Sequence, residues 1–466
     1  MDGSNVWSCL RNSANNAWNA NGNNGFFNSN NMYNSFLAVP LSNYLRTEIM
    51  MVIDDIITAY MAARKNKRRS ADQVRFELHW EANCLDLYEH IINHTLQPTA
   101  YTFITDYPKP REVFASDMGT RVLHHYLDIR LRPLLESRMS DHTFNNRIGM
   151  GQNACQNAVI SDIYEVSKGF TEDAWIVKID MSGCFPNVSQ DIAFRQLEEV
   201  VLCDYAGYDK DDLLYILKVC VFSYPTLHCF RKSPLSKWDN IPNAKSLFCK
   251  PLGVGAAIGH LIWQNAVNYY FHEIDEWVIG MGIKYERFVD DMYFVVNNKP
   301  AFLQLIPELR LRLAALGAKI NEKKFYCQHF TKGVECLGAH IKMDRIYINN
   351  RIIRRAMGRV RYFNKNVKPQ NTNRMVSSIN SYIGFCKNTN GYNQIRKIIS
   401  TLSPKWKEFV YLNRSRLCLS PKCDYTERNL IIKKYGLYDT ARKRRKTATS
   451  VRTDGGSKNR DGAERC

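Results

Sequence analysis

Three aspartates stand where side-chain chemistry is easiest to read. Asp180 ends the run Trp175-Ile176-Val177-Lys178-Ile179. Asp290-Asp291 lie between Lys284-Tyr285-Glu286-Arg287-Phe288-Val289 and Met292-Tyr293-Phe294-Val295-Val296. Both flanking runs are β-prone, so the pair reads as the turn of a hairpin. Turns favour Asp for local reasons, and adjacent acids alone say little. Asp180 changes the weight, because a carboxylate at the end of a buried strand costs free energy unless it is at an edge or paired. Three carboxylates converging on one point repel one another unless cations bridge them. Magnesium takes oxygen ligands and leaves positions open for phosphate. Two such ions about 3.5–4 Å apart stabilise the attacking and leaving oxygens of an in-line phosphoryl displacement.

For the acids to converge, the strands that carry them must be neighbours. Between Asp173 and Phe325 the pattern predicts strand, helix, helix, strand-turn-strand, helix, strand. That order suggests an α+β domain with an antiparallel sheet. Upstream, apolar periodicity predicts helices over 44–61, 76–96 and 121–135, the last carrying His124 and His125. Residues 101–114 read as extended, interrupted by Pro108 and Pro110. After Ile346 the chain turns helical. Ile352, Ile353, Ala356, Met357 and Val360 recur at helical spacing, and Arg351, Arg354, Arg355, Arg359 and Arg361 crowd the remaining surface. Val376, Ile379, Ile383 and Cys386 make a second stripe.

Between the acids lies Pro251-Leu252-Gly253-Val254-Gly255-Ala256-Ala257-Ile258-Gly259-His260-Leu261-Ile262-Trp263-Gln264. A dinucleotide loop would need glycine where Ile258 stands, so the G-x-G-x-x-G spacing fails. Ile179-Asp180 and Phe288-Val289-Asp290-Asp291 instead resemble the two catalytic motifs of reverse transcriptases, with Phe288 in place of the usual tyrosine. The resemblance covers roughly residues 40 to 430. It implies a right-hand polymerase architecture, with fingers and an antiparallel-sheet palm followed by a helical thumb. It implies two Mg2+ ions held by Asp180, Met181, Asp290 and Asp291. Phe185, five residues past Asp180, falls at the steric-gate position and would crowd a ribose 2′-OH. Ile258-Gly259 and the terminal Gln264 are similar to the motif of diversity-generating retroelement reverse transcriptases, an aliphatic-glycine, three residues, then serine-glutamine. Trp263 departs from that serine. An aliphatic at Ile258 offers no hydrogen bond to the template-nucleotide pair, which implies weaker discrimination.

The same resemblance places Arg111, in Pro108-Lys109-Pro110-Arg111-Glu112-Val113, and Arg147, in Phe144-Asn145-Asn146-Arg147-Ile148-Gly149-Met150-Gly151, near triphosphate or template backbone. A guanidinium suits phosphate through its planar fork. Arg121-Val122-Leu123-His124-His125 matches the retroelement subgroup, with the histidines structural or template-contacting. Lys324, in Leu316-Gly317-Ala318-Lys319-Ile320-Asn321-Glu322-Lys323-Lys324, would assist the leaving pyrophosphate. Cys336-Leu337-Gly338 resembles the primer-grip turn. Arg351, Arg354, Arg355 and Arg359 would hold the template-primer duplex. The implied partners are an RNA template, a DNA or cDNA primer, deoxynucleoside triphosphates and a small basic accessory protein. Two alternatives stand beside this: a group II intron or retron type of reverse transcriptase, and a non-catalytic RNA-binding protein of polymerase-like shape. An intron enzyme would carry a C-terminal Cys/His endonuclease pattern that is not seen, and a degenerate binder has little reason to keep all three acids.

The composition agrees with a polyanionic partner. Across 466 residues the formal net charge is +19, with 45% hydrophobic residues, enough to fold most of the chain. No run of about 18 apolar residues suggests a membrane span, and no signal pattern opens the chain. The 14 cysteines form no C-x2-C pairs, which fits a reduced, cytoplasmic setting better than a disulfide framework. Residues 1–36 are rich in Asn and Gly and read as disordered. Both Asn codons begin with two adenines, and these retroelements mutate template adenines, so the segment reads either as a translated template repeat or as ordinary low complexity. Residues 37–345 would form fingers and palm, 346–440 the basic thumb, and 441–466 a disordered basic tail opening on Arg442-Lys443-Arg444-Arg445-Lys446. The run Arg64, Lys65, Lys67, Arg68 and Arg69 fits either a solvated helix end or a nucleic-acid contact.

Overall fold

A computed structural model describes residues 43–65, 70–106 and 109–426. The Asn-rich start, Lys67, Arg68, Arg69, Pro108 and the tail at 441–466 lie outside those residues. The chain divides into two compact units. The first comprises the chain up to Asp162 together with Ala174–Cys327; the second comprises Ile163–Asp173 and the chain from Gln328. The boundary expected at 345/346 therefore falls inside the second unit.

The first unit opens with α1 (Asn43–Arg64), α2 (Ala71–Leu78) and α3 (Trp80–Ile92). Periodicity predicts one helix over 76–96, but His79 adopts φ −136° and separates α2 from α3. Next come β1 (Ala100–Thr105) and β2 (Arg111–Ser116), paired antiparallel, then the long α4 (Met118–Arg138), whose N-terminus is capped by Asp117. A helix α5 (Gln152–Val166) leads into β3 (Trp175–Ser182). Before the next strand of the sheet that holds β3 the chain forms α6 (Gln190–Asp204), α7 (Lys210–Val221), the short β4 (Cys229–Arg231), α8 (Leu261–Tyr270) and α9 (His272–Gly280). Sequence pattern predicts only two of those four helices. Of α8, Ile262, Trp263 and every residue from Asn265 to Tyr270 are buried, so it carries no amphipathic stripe to read. Strand β4 runs parallel to β1, a pairing no local pattern announces.

The sheet that carries the acids is completed by β5 (Lys284–Phe288), β6 (Asp291–Val296), β7 (Lys319–Ile320) and β8 (Tyr326–His329), with α10 (Lys299–Ala315) between β6 and β7. Strand order is β5-β6-β3-β7, with β8 also pairing with β3. Side chains alternate across a strand, so one register decides which face is dry. Val177, Ile179, Tyr285, Met292, Phe294 and Val296 join the main core of the unit. The alternate positions, Lys178, Asp180, Glu286, Phe288, Asp291 and Tyr293, fall on the other face.

In the second unit β9 (Val334–Cys336), β10 (Ala339–Lys342) and β11 (Arg345–Ile348) form an antiparallel sheet. Leu337 and Gly338 between β9 and β10 both have positive φ, +48° and +86°, as the tightest hairpin turns require. Helices α11 (Asn350–Lys365), α12 (Thr372–Lys387) and α13 (Tyr392–Ser400) follow, then the hairpin β12 (Val410–Asn413) and β13 (Cys418–Pro421). Ala356, Val360, Ile379, Ile383 and Cys386 meet in the core of this unit, as their spacing predicts. Among the described residues no helix is long and apolar enough to cross a membrane, and the cysteines are free thiols.

Candidate active site

The pairing of β3 with β6 sets Asp180 directly opposite Asp291, and Asp290 occupies the two-residue turn between β5 and β6. The Met181 amide donates to the Asp290 carbonyl at 3.0 Å, tying that turn to the end of β3. Asp180 accepts from Lys324 Nζ at 2.5 Å on Oδ1 and from Asn321 Nδ2 at 3.0 Å on Oδ2. Lys178 Nζ stands 3.4 Å from Asp291 Oδ1. Burial, then the charges of Asp291 and Asp180, push the Asp290 carboxyl up to about 6. Burial also raises Asp291, with Lys178 opposing and Asp180 adding to the rise. Burial pulls the Lys324 ammonium down, but the hydrogen bond and charge of Asp180 outweigh it and the pKa is raised. Among the described residues no three His, Cys, Asp or Glu side chains already surround a metal-sized point. The donor set still fits a hard divalent cation: the oxygens belong to carboxylates, they repel one another, and two lysines now sit on them.

A second layer positions this turn. Val289, just before Asp290, has φ +58°, a backbone that crowds a β-branched side chain. Beneath it the fully buried Arg287 pairs with the buried Asp275 at 2.5 Å.

The glycine-rich loop docks beside Asp180. Phe185 lies in a turn of 3-10 helix, half-buried against the main core. Its carbonyl accepts from the Ala256 amide at 2.8 Å, and the Val188 carbonyl accepts from Gly255 at 2.7 Å. Gln190 Nε2 donates to the Gly255 carbonyl at 3.0 Å. The loop's other end reaches β2, where the Phe114 amide donates to the Ile258 carbonyl at 2.7 Å. Gly259 has φ +111°, and any Cβ there would collide with the Phe114 carbonyl. Ile258 is half-buried, Trp263 buried and Gln264 exposed on α8.

Residues 109–341, half of the chain, match the family model described as reverse transcriptase (RNA-dependent DNA polymerase). The chain belongs to the reverse transcriptase family. The matched span holds all three acids and the glycine-rich loop. No curated protein sequence matches the chain. Among solved structures it is similar to telomerase from Candida albicans in complex with a fragment of telomeric RNA, at 12% identity and TM-score 0.39. That match covers 70% of this chain and 60% of the other. Apo telomerase from Candida tropicalis is similar at 11% identity and TM-score 0.41, covering 86% of both chains. A form of it truncated from the C-terminal domain gives 12% and 0.41, over 58% of this chain and 60% of that one.

Within this reverse transcriptase the expected site residues separate into groups. Asp180, Asp290, Asp291, Met181 and Lys324 come together. Phe185, Ile258 and Gly259 belong to the adjoining loop contacts. Arg111 stands exposed at the start of β2. Arg147 is not presented for a ligand: only 7% of its side chain is exposed. Its guanidinium donates to the carbonyls of Ser140 at 2.5 Å, Thr143 at 3.1 Å and Glu136 at 3.3 Å, so it ties the end of α4 to the following loop. Arg351 and Arg354 are exposed on α11, and Arg355 and Arg359 half-buried. His124 is buried, with its ring 4.9 Å from that of buried His260. Burial lowers His260 to about 4 and holds His124 well below its usual range, so both rings are neutral packing groups at neutral pH.

Lys178, Asn321, Arg287 and Asp275 were not singled out from sequence. Lys178 had a usable signal: two residues before Asp180 on one strand, it shares the acids' face.

Two measurements test this geometry. Because its folded pKa is raised, Asp290 opposes folding when ionised, and that cost disappears as pH falls through about 6 towards 4. Asp290→Asn is expected to raise stability at pH 7.5 by about 1–3 kcal/mol, with no gain below about pH 4, by urea denaturation. Gly259→Ala is expected to cost about 1–3 kcal/mol from backbone strain alone, beyond any clash with Phe114, in the same assay.

Proposed function

We propose that the protein is an RNA-directed DNA polymerase that extends a DNA or cDNA primer on an RNA template with deoxynucleoside triphosphates. The observation that carries this reading is the register that sets Asp180 opposite Asp291 with Asp290 in the adjoining turn. Asp180, Met181, Asp290 and Asp291 would hold two Mg2+ ions. When bound, the ions would supply charge neutralisation for the attacking and leaving oxygens of an in-line displacement. The chain's own groups do the remaining work. Lys324, paired with Asp180 and 45% exposed, would give a proton to the departing pyrophosphate. Phe185 narrows the space beside the sugar, and exposed Arg111 offers a guanidinium to phosphate. The arginines of α11 would grip the template-primer duplex as a thumb, with affinity falling steeply as salt rises.

Within the family, we assign the chain to the diversity-generating retroelement type. It would make error-prone, adenine-biased cDNA from a template-repeat RNA for mutagenic retrohoming, in the cytoplasm and with a small basic accessory protein. Support comes from the aliphatic Ile258 where a polar partner would discriminate better, and from Gln264 at the end of the same motif.

Primer extension on an RNA template with Mg2+ tests the activity. Wild type is expected to extend and the Asp290→Ala, Asp291→Ala double variant to fall to background. Failure of wild type with native RNA and accessory protein supplied would favour a non-catalytic RNA-binding role. Sequenced products are expected to carry errors concentrated at template adenines; an even spread would point to another lineage. Phe185→Ala is expected to raise ribonucleotide use relative to deoxynucleotide use by on the order of 10-fold, in single-nucleotide incorporation.

A further inference from the structure

The hairpin that presents Asp290 turns on a residue poorly suited to its backbone. At φ +58° Val289 occupies the left-handed region that glycine or asparagine usually fills. Such a conformation persists only where surrounding contacts over-determine it. One contact is specific: Arg287 Nη1 donates to the Val289 carbonyl at 3.3 Å.

That guanidinium is itself immobilised. Its Nε donates to Asp275 Oδ1 at 2.7 Å, and Nη2 donates to Asp275 Oδ2 at 2.5 Å and to the Asn268 carbonyl at 2.8 Å. Asp275 also accepts from the Tyr285 hydroxyl at 2.8 Å and from Thr143 Oγ1 at 3.1 Å. The Arg287 backbone is pinned as well, donating to the His142 carbonyl at 2.8 Å and accepting from Phe144 at 3.0 Å. Contacts from α8, α9, β5 and the segment after α4, with the Phe271 ring 5.6 Å from the guanidinium, thus fix it where Nη1 meets the turn. Only a planar fork reaches all these acceptors at once; a lysine ammonium keeps the charge and loses the geometry.

We propose that Arg287, held by Asp275, is a positioning residue that imposes the left-handed backbone of Val289 and thereby aims Asp290 at Asp180 and Asp291. It lies on the opposite face of the sheet from the acids and acts only through the turn. This rests on the reading of the three acids as cation ligands.

The test is Mn2+ binding to the full chain, with free Mn2+ followed by electron paramagnetic resonance and folding by near-ultraviolet circular dichroism. Arg287→Lys is expected to remain folded and bind Mn2+ about 10-fold or more weakly, as loss of a group that orients a ligand does. In a Val289→Gly background the same substitution is expected to cost much less, because glycine takes positive φ unaided. Wild-type affinity in folded Arg287→Lys, or an equal loss in both backgrounds, overturns the proposal. Should Arg287→Lys unfold, Tyr285→Phe and Thr143→Val loosen Asp275 while leaving the ion pair whole. Weakened Mn2+ binding in both then supports the brace, and unchanged binding overturns it. Asp290→Asn separates the two claims, since unchanged Mn2+ affinity there removes the cation-site reading itself.

Discussion

Three carboxylates gathered at one end of a sheet repel one another, and much of the first unit is arranged to keep them there. Two like charges about 4 Å apart at an effective dielectric near 20 repel by about 4 kcal/mol. Burial first, and that repulsion after it, raise the carboxyl of Asp290. Hydrogen-bonded strands absorb the repulsion. The antiparallel pairing that sets Asp180 opposite Asp291 belongs to a ladder running back to Trp175 and Val296, and slipping it by one residue would turn Met292, Phe294 and Val296 away from the main core. The acids are held together by the packing of Val177, Ile179, Met292 and Phe294 behind them. Lysines soften the repulsion, with Lys324 paired to Asp180 and Lys178 beside Asp291, yet the carboxyls of both Asp290 and Asp291 remain raised, chiefly by burial.

This dependence explains which parts of the molecule were legible from sequence. Strand periodicity and the positions of the three acids are local facts, and they led to the β5-β6 hairpin and to β3 beside it. The helical stripe of the second unit was equally plain, because Val360, Ile379 and Ile383 bury one side of helices whose other side meets water. Helix α8 escaped notice because it is enclosed nearly all round, and β4 because a three-residue strand gains its meaning only from its partner β1. His79 split a periodic segment without disturbing the periodicity.

Charge was harder to read than periodicity. Arg147 and Arg287 look alike in sequence, each in a short polar-aromatic context and each suited to phosphate. Arg147 meets the carbonyls of Ser140, Thr143 and Glu136, and Arg287 meets Asp275. An arginine's partners are chosen by tertiary approach, and its long side chain makes several partners available within one fold. Breaking a fully buried ion pair leaves an uncompensated charge, so such a pair constrains its surroundings even where it adds little net stability. The Arg287–Asp275 pair sits beside Val289, whose φ of +58° and carbonyl bond to Arg287 put the proposed constraint one residue from Asp290.

Chemistry and accuracy rest on different contacts in the proposed polymerase. The acids are set by their register and their turn, neither of which involves the side chain of Ile258. Selection among nucleotides, on the proposed reading, would depend on the wall that the glycine-rich loop presents. That loop is fixed independently, through the Phe114–Ile258 hydrogen bond, the bare Cα of Gly259 and the bonds from Gln190 and Ala256. A rigidly held aliphatic wall discriminates by shape alone, where a hydrogen-bonding one would also penalise the wrong polar pattern. Low accuracy, as proposed, would therefore need no looseness in the site: a well-ordered loop would suffice, because its aliphatic side chain has nothing polar to offer.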